Sequence, residues 1–147
     1  MKRILLTLTI ALSLITFSSF KSNDDVAPAA LKSFNKSFKK ATEVNWSVSE
    51  TYFKANFALD GQYVSAYYNV DGKMIAMTRN ISSVQLPLAL QADLKKNSEK
   101  YWISVLFEMA NEEGTSYYVT LEDGDTKLVM KSTSTSEWIT FSKLRKS

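Results

Sequence analysis

The amino-acid sequence predicts an α+β protein made of two tandem units, each a helix followed by an antiparallel meander. The meanders join into one antiparallel sheet with both helices on one face. Three observations lead there. Apolar residues pass from a helical period to a period of two, and do so twice in the same order. Pro28 and Pro87, 59 positions apart (87 − 28), introduce the two helical stretches. Asp-Gly pairs, the strongest short hairpin signal, stand among the alternating runs at Asp60-Gly61, Asp71-Gly72 and Asp123-Gly124. The units span 27–82 and 84–147, after a leader at 1–20 and a polar tail at 21–26.

The leader reads Met1-Lys2-Arg3, then an apolar run from Ile4 to Phe17, then Ser18 and Ser19. A basic start, an apolar run shorter than the roughly 20 residues a bilayer span needs, and small residues after it are the pattern of a secretory signal peptide. The expected destination is the periplasm or the exterior, with no membrane span left after cleavage. Removing Lys2 and Arg3 takes the formal charge from +3 to +1 (+3 − 2), and the remaining lysines are scattered or confined to helix faces. Nucleic acid is therefore not an expected partner.

In the first unit Leu31, Phe34 and Phe38 form one helical stripe, with Lys32, Lys36, Lys39 and Lys40 mostly off it. Val44, Trp46 and Val48 then alternate with polar residues. So do Phe53, Ala55, Phe57 and Leu59, and after them Val64, Ala66, Tyr68 and Val70; Met74 to Arg79 makes a fourth, shorter strand. The second unit repeats the plan with Leu90 and Leu94 on its helix, whose last turn carries Lys95 and Lys96. Its strands are Trp102 to Met109, the run through Tyr117, Val119 and Leu121, the run through Leu128 and Met130, and Trp138 to Phe141. One apolar stripe per helix and one apolar face per strand pack most economically with both helices on the same side of one sheet.

The chain contains no Cys and no His, four Gly and two Pro. That removes disulfides, thiol nucleophiles, imidazole or thiolate metal sites, His-based triads and glycine-rich phosphate loops. Ser33 and Lys36, and Ser37 and Lys40, match the S-x-x-K spacing of serine acyl-enzymes, but no S-D-N or K-T-G partner accompanies them. The turn after Asn69 lacks the first and last ligands of a calcium loop, and Glu122, Asp123 and Asp125, with Glu112 and Glu113, read as solvated acidic turns. No enzyme activity, metal or cofactor is expected.

The x-Pro helix, the strand around Val44-Asn45-Trp46, the run Tyr52-Phe53-Lys54-Ala55-Asn56-Phe57, the Asp-Gly turn and Asn69-Val70-Asp71-Gly72-Lys73 together resemble the PepSY-like, β-lactamase-inhibitor-like proteins. These are exported proteins known mainly from Bacteroidetes, and the resemblance covers about Ala27 to Lys143. The second unit departs from the pattern, with Asn97-Ser98-Glu99 where an aromatic-Pro ending is usual. The resemblance implies two helix-plus-sheet repeats without catalysis and, by analogy with inhibitors that cover a β-lactamase with a concave sheet, control of an envelope or secreted hydrolase. It supplies no site residues.

Those come from strand alternation. If Phe53, Phe57, Val64 and Tyr68 face the helices, then Tyr52, Tyr63 and Tyr67 face the other way beside Lys54 and Asn56. The same logic turns Trp102, Leu106, Tyr118 and Val129 outward in the second unit. Tyr52, Lys54, Tyr63, Tyr67, Trp102 and Tyr118 are accordingly the expected partner-binding residues, aromatic anchors with Lys54 steering an acidic protein. Cross-strand packing or a dimer would also account for aromatics there, and a one-residue slip would exchange the faces. The alternative function is a carrier or sensor of a peptide, glycan or lipid. The oligomeric state is left open.

Overall fold

The computed structural model describes residues 25–147; the predicted leader at 1–20 and residues 21–24 of the tail lie outside the described residues. The order is helix, four strands, helix, four strands. It comprises α1 (Pro28–Ser37), β1 (Thr42–Val48), β2 (Phe53–Leu59), β3 (Gln62–Tyr68), β4 (Met74–Asn80), α2 (Leu88–Asn97), β5 (Trp102–Asn111), β6 (Gly114–Glu122), β7 (Thr126–Ser132) and β8 (Ile139–Arg145). All eight strands form one antiparallel sheet in sequence order, with β1 and β8 at its edges.

Ten-residue helices are too short to stand alone in water, so each depends on what it packs against. Proline at the first position of α1 presets the backbone there, and no side chain caps it. Ala30 and Phe34 are the buried residues of α1, Leu90 and Leu94 those of α2. The burial classes of residues 25–40 recur one for one at 85–100, an offset of 60 rather than the 59 that the prolines suggest. The difference arises because Pro28 is the first helical residue, whereas Pro87 stands one place before α2.

The turns follow their sequences. Asp60 and Gly61, at φ +49° and +81°, close a two-residue β2–β3 hairpin whose twist matches its strands. The Asn69 side-chain carbonyl accepts from the backbone N–H of Asp71 at 3.1 Å and of Lys73 at 2.9 Å, which shapes the β3–β4 turn. Asp123 organises the β6–β7 turn similarly, accepting from Asp125 at 2.8 Å and Thr126 at 2.6 Å.

Four bulges interrupt the ladder, between β1 and β2, β3 and β4, β5 and β6, and β7 and β8. They fall on equivalent strand pairs in the two halves, and bulges bend and twist a sheet. One of them overturns an expectation. Ser104 is the extra residue on β5, since Ile103 pairs with Leu121 and Val105 with Thr120. Trp102 therefore faces away from the helices as expected, but Leu106, three pairs further on instead of four and opposite Val119, turns into the α2 core. The β1 bulge likewise takes Val44 out of the buried alternation of Trp46 and leaves it exposed.

The helix side holds two hydrophobic cores. Under α1, Phe34 meets Phe57 edge-on at 4.9 Å and Trp46 at 5.3 Å, with Tyr68 beside Trp46. Under α2, Leu90 and Leu94 pack on Leu106, Val119, Leu121 and Met130. Trp138 belongs to this core rather than to a strand. Its indole N–H donates to the Leu90 carbonyl at 3.0 Å and its backbone N–H to Asp93 at 2.9 Å, and β8 begins after it. Between the two cores, at the β4–β5 junction, the helix side is polar: Arg79 pairs with Glu108 at 3.2 Å and donates to Gln62 at 3.2 Å.

Two stability predictions follow from these contacts. Gly72, at φ +79°, lies against the start of α1, where an added Cβ would meet the Ala29 carbonyl carbon at 2.5 Å; at Gly61 a Cβ would meet nothing. Gly61→Ala should cost about 1 kcal/mol for the backbone alone, and Gly72→Ala about 3 kcal/mol through strain plus overlap. Equal losses in urea unfolding would contradict this packing. The Tyr68 hydroxyl is buried and has no hydrogen-bond partner among the described residues, and burial raises its pKa to about 12. Tyr68→Phe should leave stability unchanged or raise it by up to about 1 kcal/mol; a loss of that size would show the hydroxyl to be bonded in solution.

Candidate functional site on the helix-free face

Alternation along each strand sends every second side chain to the face that no helix among the described residues covers, and the ladder sets these side chains in rows. One row runs Lys54, Tyr67, Ala76 across β2, β3 and β4. Another runs Phe107, Tyr118, Lys131, Ile139 across β5 to β8, and a third Trp102, Glu122, Lys127, Leu144. Between them, Met109 pairs with Thr78 on one side and Ser116 on the other.

The six expected contact residues all lie at or on this face, but they divide into two kinds. Tyr63 and Trp102 are exposed, at 69% and 55%. Tyr52 and Lys54 are half-buried. Tyr67 and Tyr118 retain only 4% and 3% exposure, because they form a third hydrophobic cluster with Ala76 and Met109, flanked by Tyr52, Ile75 and Phe107. Among the described residues no layer lies above them, so side chains this buried are covered by their neighbours on the face itself. As surface anchors Tyr67 and Tyr118 are thus corrected to a packed floor beneath their neighbours on this face.

Ring geometry supports the same description. Tyr67 receives Tyr52 edge-on at 5.5 Å, and Tyr118 stacks on Phe107 at 5.0 Å with the rings within 8° of parallel. Phe141 meets Tyr118 at 6.0 Å while remaining 42% exposed. Lysines cover the outer sides: Lys54 stands 5.5 Å from the Tyr67 ring centre and Lys131 5.3 Å from that of Tyr118. The two rungs occupy matching places in the halves, with lysine and tyrosine exchanged between the strands. At one end of the face Lys146 lies 4.8 Å over Trp102, donates to the Asp123 carbonyl at 2.6 Å and pairs with Glu122 at 2.8 Å.

The electrostatics follow from these neighbours. Burial lowers the pKa of Lys54, and burial raises that of Tyr67. The Tyr63 hydroxyl donates to Glu43 at 2.6 Å, and this bond to a carboxylate holds the phenol protonated and its pKa high. Hydrogen bonds from Lys146 and Ser104 lower the pKa of Glu122.

The arrangement can bury apolar area and offer ammonium groups. Among the described residues no three Asp or Glu converge as a metal site, and Glu112 and Glu113 are separated from Glu122 and Asp123 by the length of β6. Sequence alternation missed Phe107, Lys131, Ile139 and Phe141. For Lys131 the signal was present, since it directly follows the inward Met130; Phe107 and Phe141 are hidden by the bulges on β5 and β8.

No family model matches the chain, and no curated protein does. Solved structures do. A protein of the DUF2874 family from Bacteroides ovatus superposes with a TM-score of 0.70 at 19% identity, covering 82% of this chain and 89% of its own. A BLIP-like protein from Bacteroides fragilis gives 0.65 at 17%, covering 80% and 84%. A Bacteroides eggerthii protein provisionally described as periplasmic gives 0.71 at 14%, covering 81% and 88%. At these identities the likeness establishes the fold: the chain folds like the BLIP-like and DUF2874 proteins of Bacteroides.

The division of the face is testable. Tyr67→Ala should cost about 3 kcal/mol because it empties part of a packed cluster, whereas Tyr63→Ala should cost less than about 1 kcal/mol. Comparable losses in thermal or urea unfolding would place both side chains in the same environment and refute the division.

Proposed function

We propose that the chain is an exported, non-catalytic binding protein of the cell envelope that recognises another protein through the helix-free face, acting by occlusion as an inhibitor or accessory factor. One observation carries the reading. A sheet face that no described helix covers has a floor of packed aromatics, around which Trp102, Phe141, Ile139 and Leu144 remain exposed, the composition of a recognition patch. The export signal in the leader and the periplasmic description of one structural neighbour support the location. The BLIP-like neighbour supports protein binding by analogy of fold. The PepSY part of the resemblance rests on sequence pattern alone.

A small-ligand role has one feature in its favour, an open groove of about 490 Å³ beside α2, lined by Leu88, Ala92, Leu94 and Ile103 together with Gln91 and Lys95. The groove lies away from the aromatic face.

Affinity capture from envelope and secreted fractions separates the readings. Trp102→Ala with Phe141→Ala should lose a partner that the wild type retains, while the melting temperature changes by less than about 4 °C. A partner held equally by the variant would remove the sheet face from the reading, and one lost instead on Leu88→Ala would favour the groove.

A further inference from the structure

The helix-free face carries its charges in an unbalanced way. Its carboxylates are engaged: Glu122 is paired with Lys146 at 2.8 Å and lies opposite Lys127, and Glu43 accepts from Tyr63 at 2.6 Å. Two of its lysines, Lys54 and Lys131, are not. Among the described residues neither Lys54 nor Lys131 has a carboxylate within ion-pair distance. Their neighbours across the ladder are neutral: Ser47 and Tyr67 for Lys54, Tyr118 and Ile139 for Lys131.

Each ammonium instead rests over a tyrosine ring that is itself part of the floor. A half-buried cation held on an aromatic surface has lost part of its hydration without gaining an anion in exchange, so a carboxylate brought to it gains more than at an open surface. Because the two rungs sit at matching positions in the two halves, they form two such points on either side of the β4–β5 junction.

From this charge pattern we infer that the partner presents an acidic segment to the face, its carboxylates meeting the ammonium groups of Lys54 and Lys131 while apolar side chains cover the tyrosine floor between them. The inference rests on the docking reading above and adds the chemistry of the partner. A protein segment fits better than a nucleic acid, since the two lysines stand apart within an apolar floor rather than forming the continuous basic stripe that tracks a phosphate backbone. The lysines of α1, on the other side of the sheet, serve as an internal control for indiscriminate attraction of anions.

The test is a titration of the nitrogen-15-labelled protein, as processed by its expression host, with three probes: a Glu-rich peptide, the same peptide with Gln for Glu, and a single-stranded oligonucleotide. The Glu-rich peptide should shift amides around Lys54 and Lys131 and bind more weakly as salt is raised. Lys54→Met with Lys131→Met should reduce its affinity about tenfold, whereas Lys54→Arg with Lys131→Arg should retain it. Equal binding of the Gln peptide at the same face would overturn the acidic partner while leaving protein docking there intact. Shifts confined to Lys32 and Lys36 on α1 and to Lys39 and Lys40 just after it, or an unaffected Met variant, would overturn it as well. Tighter binding of the oligonucleotide to the face would replace the partner class. The capture with Trp102→Ala and Phe141→Ala tests the docking reading independently.

Discussion

The junction between β4 and β5 is the constraint on which the rest of this molecule depends. The helix-side cores under α1 and α2 share no residue, and only four register pairs, Met77–Ala110 to Asn80–Phe107, join the two halves of the sheet. On the helix side the junction is closed by Arg79 and Glu108, a half-exposed ion pair of the kind that contributes about 1 kcal/mol or less. On the other side Tyr67, Ala76, Met109 and Tyr118 pack across it. Burying large apolar side chains contributes about 1.5–3 kcal/mol each, so this cluster, together with Ile81 buried in the α2 core and donating its backbone N–H to the Leu106 carbonyl at 3.0 Å, does more to hold the halves together than the ion pair.

That face consequently has two layers. Its floor is a core, fixed by ring contacts between Tyr52 and Tyr67 and between Phe107 and Tyr118. Around it Trp102, Ile139, Phe141 and Leu144 remain exposed. A rigid floor favours recognition, because aromatic side chains already locked in place lose little freedom when a partner covers them. The equivalence of the Lys54–Tyr67 and Tyr118–Lys131 rungs shows that the recurring topology repeats chemistry as well as shape.

Bulges link the sequence to this shape. They recur on the first and last strand pairs of each half, and each changes which residues share a face from that point on. No side chain announces them. Ser104 is an ordinary strand neighbour by composition, and it becomes the unpaired residue only because Ile103 and Val105 are both held by β6.

The sequence by itself determined the α+β class, the two short helices with Phe34 and with Leu90 and Leu94 buried, and the hairpins at Asp60-Gly61 and Asp71-Gly72. These depend on local periodicity and on φ angles that glycine adopts freely, which a run of a few residues records in full. It also placed Tyr52, Lys54, Tyr63, Tyr67, Trp102 and Tyr118 at or on the helix-free face, since alternation holds wherever the ladder is unbroken. Only the tertiary structure decided that Leu106 turns inward, that Tyr67 and Tyr118 form a floor instead of a surface, and that Phe107, Phe141 and Lys131 join them. The physical reason is that register shifts are properties of strand pairs. Pairing depends on residues far apart in the chain, and burial on the neighbours that pairing brings together.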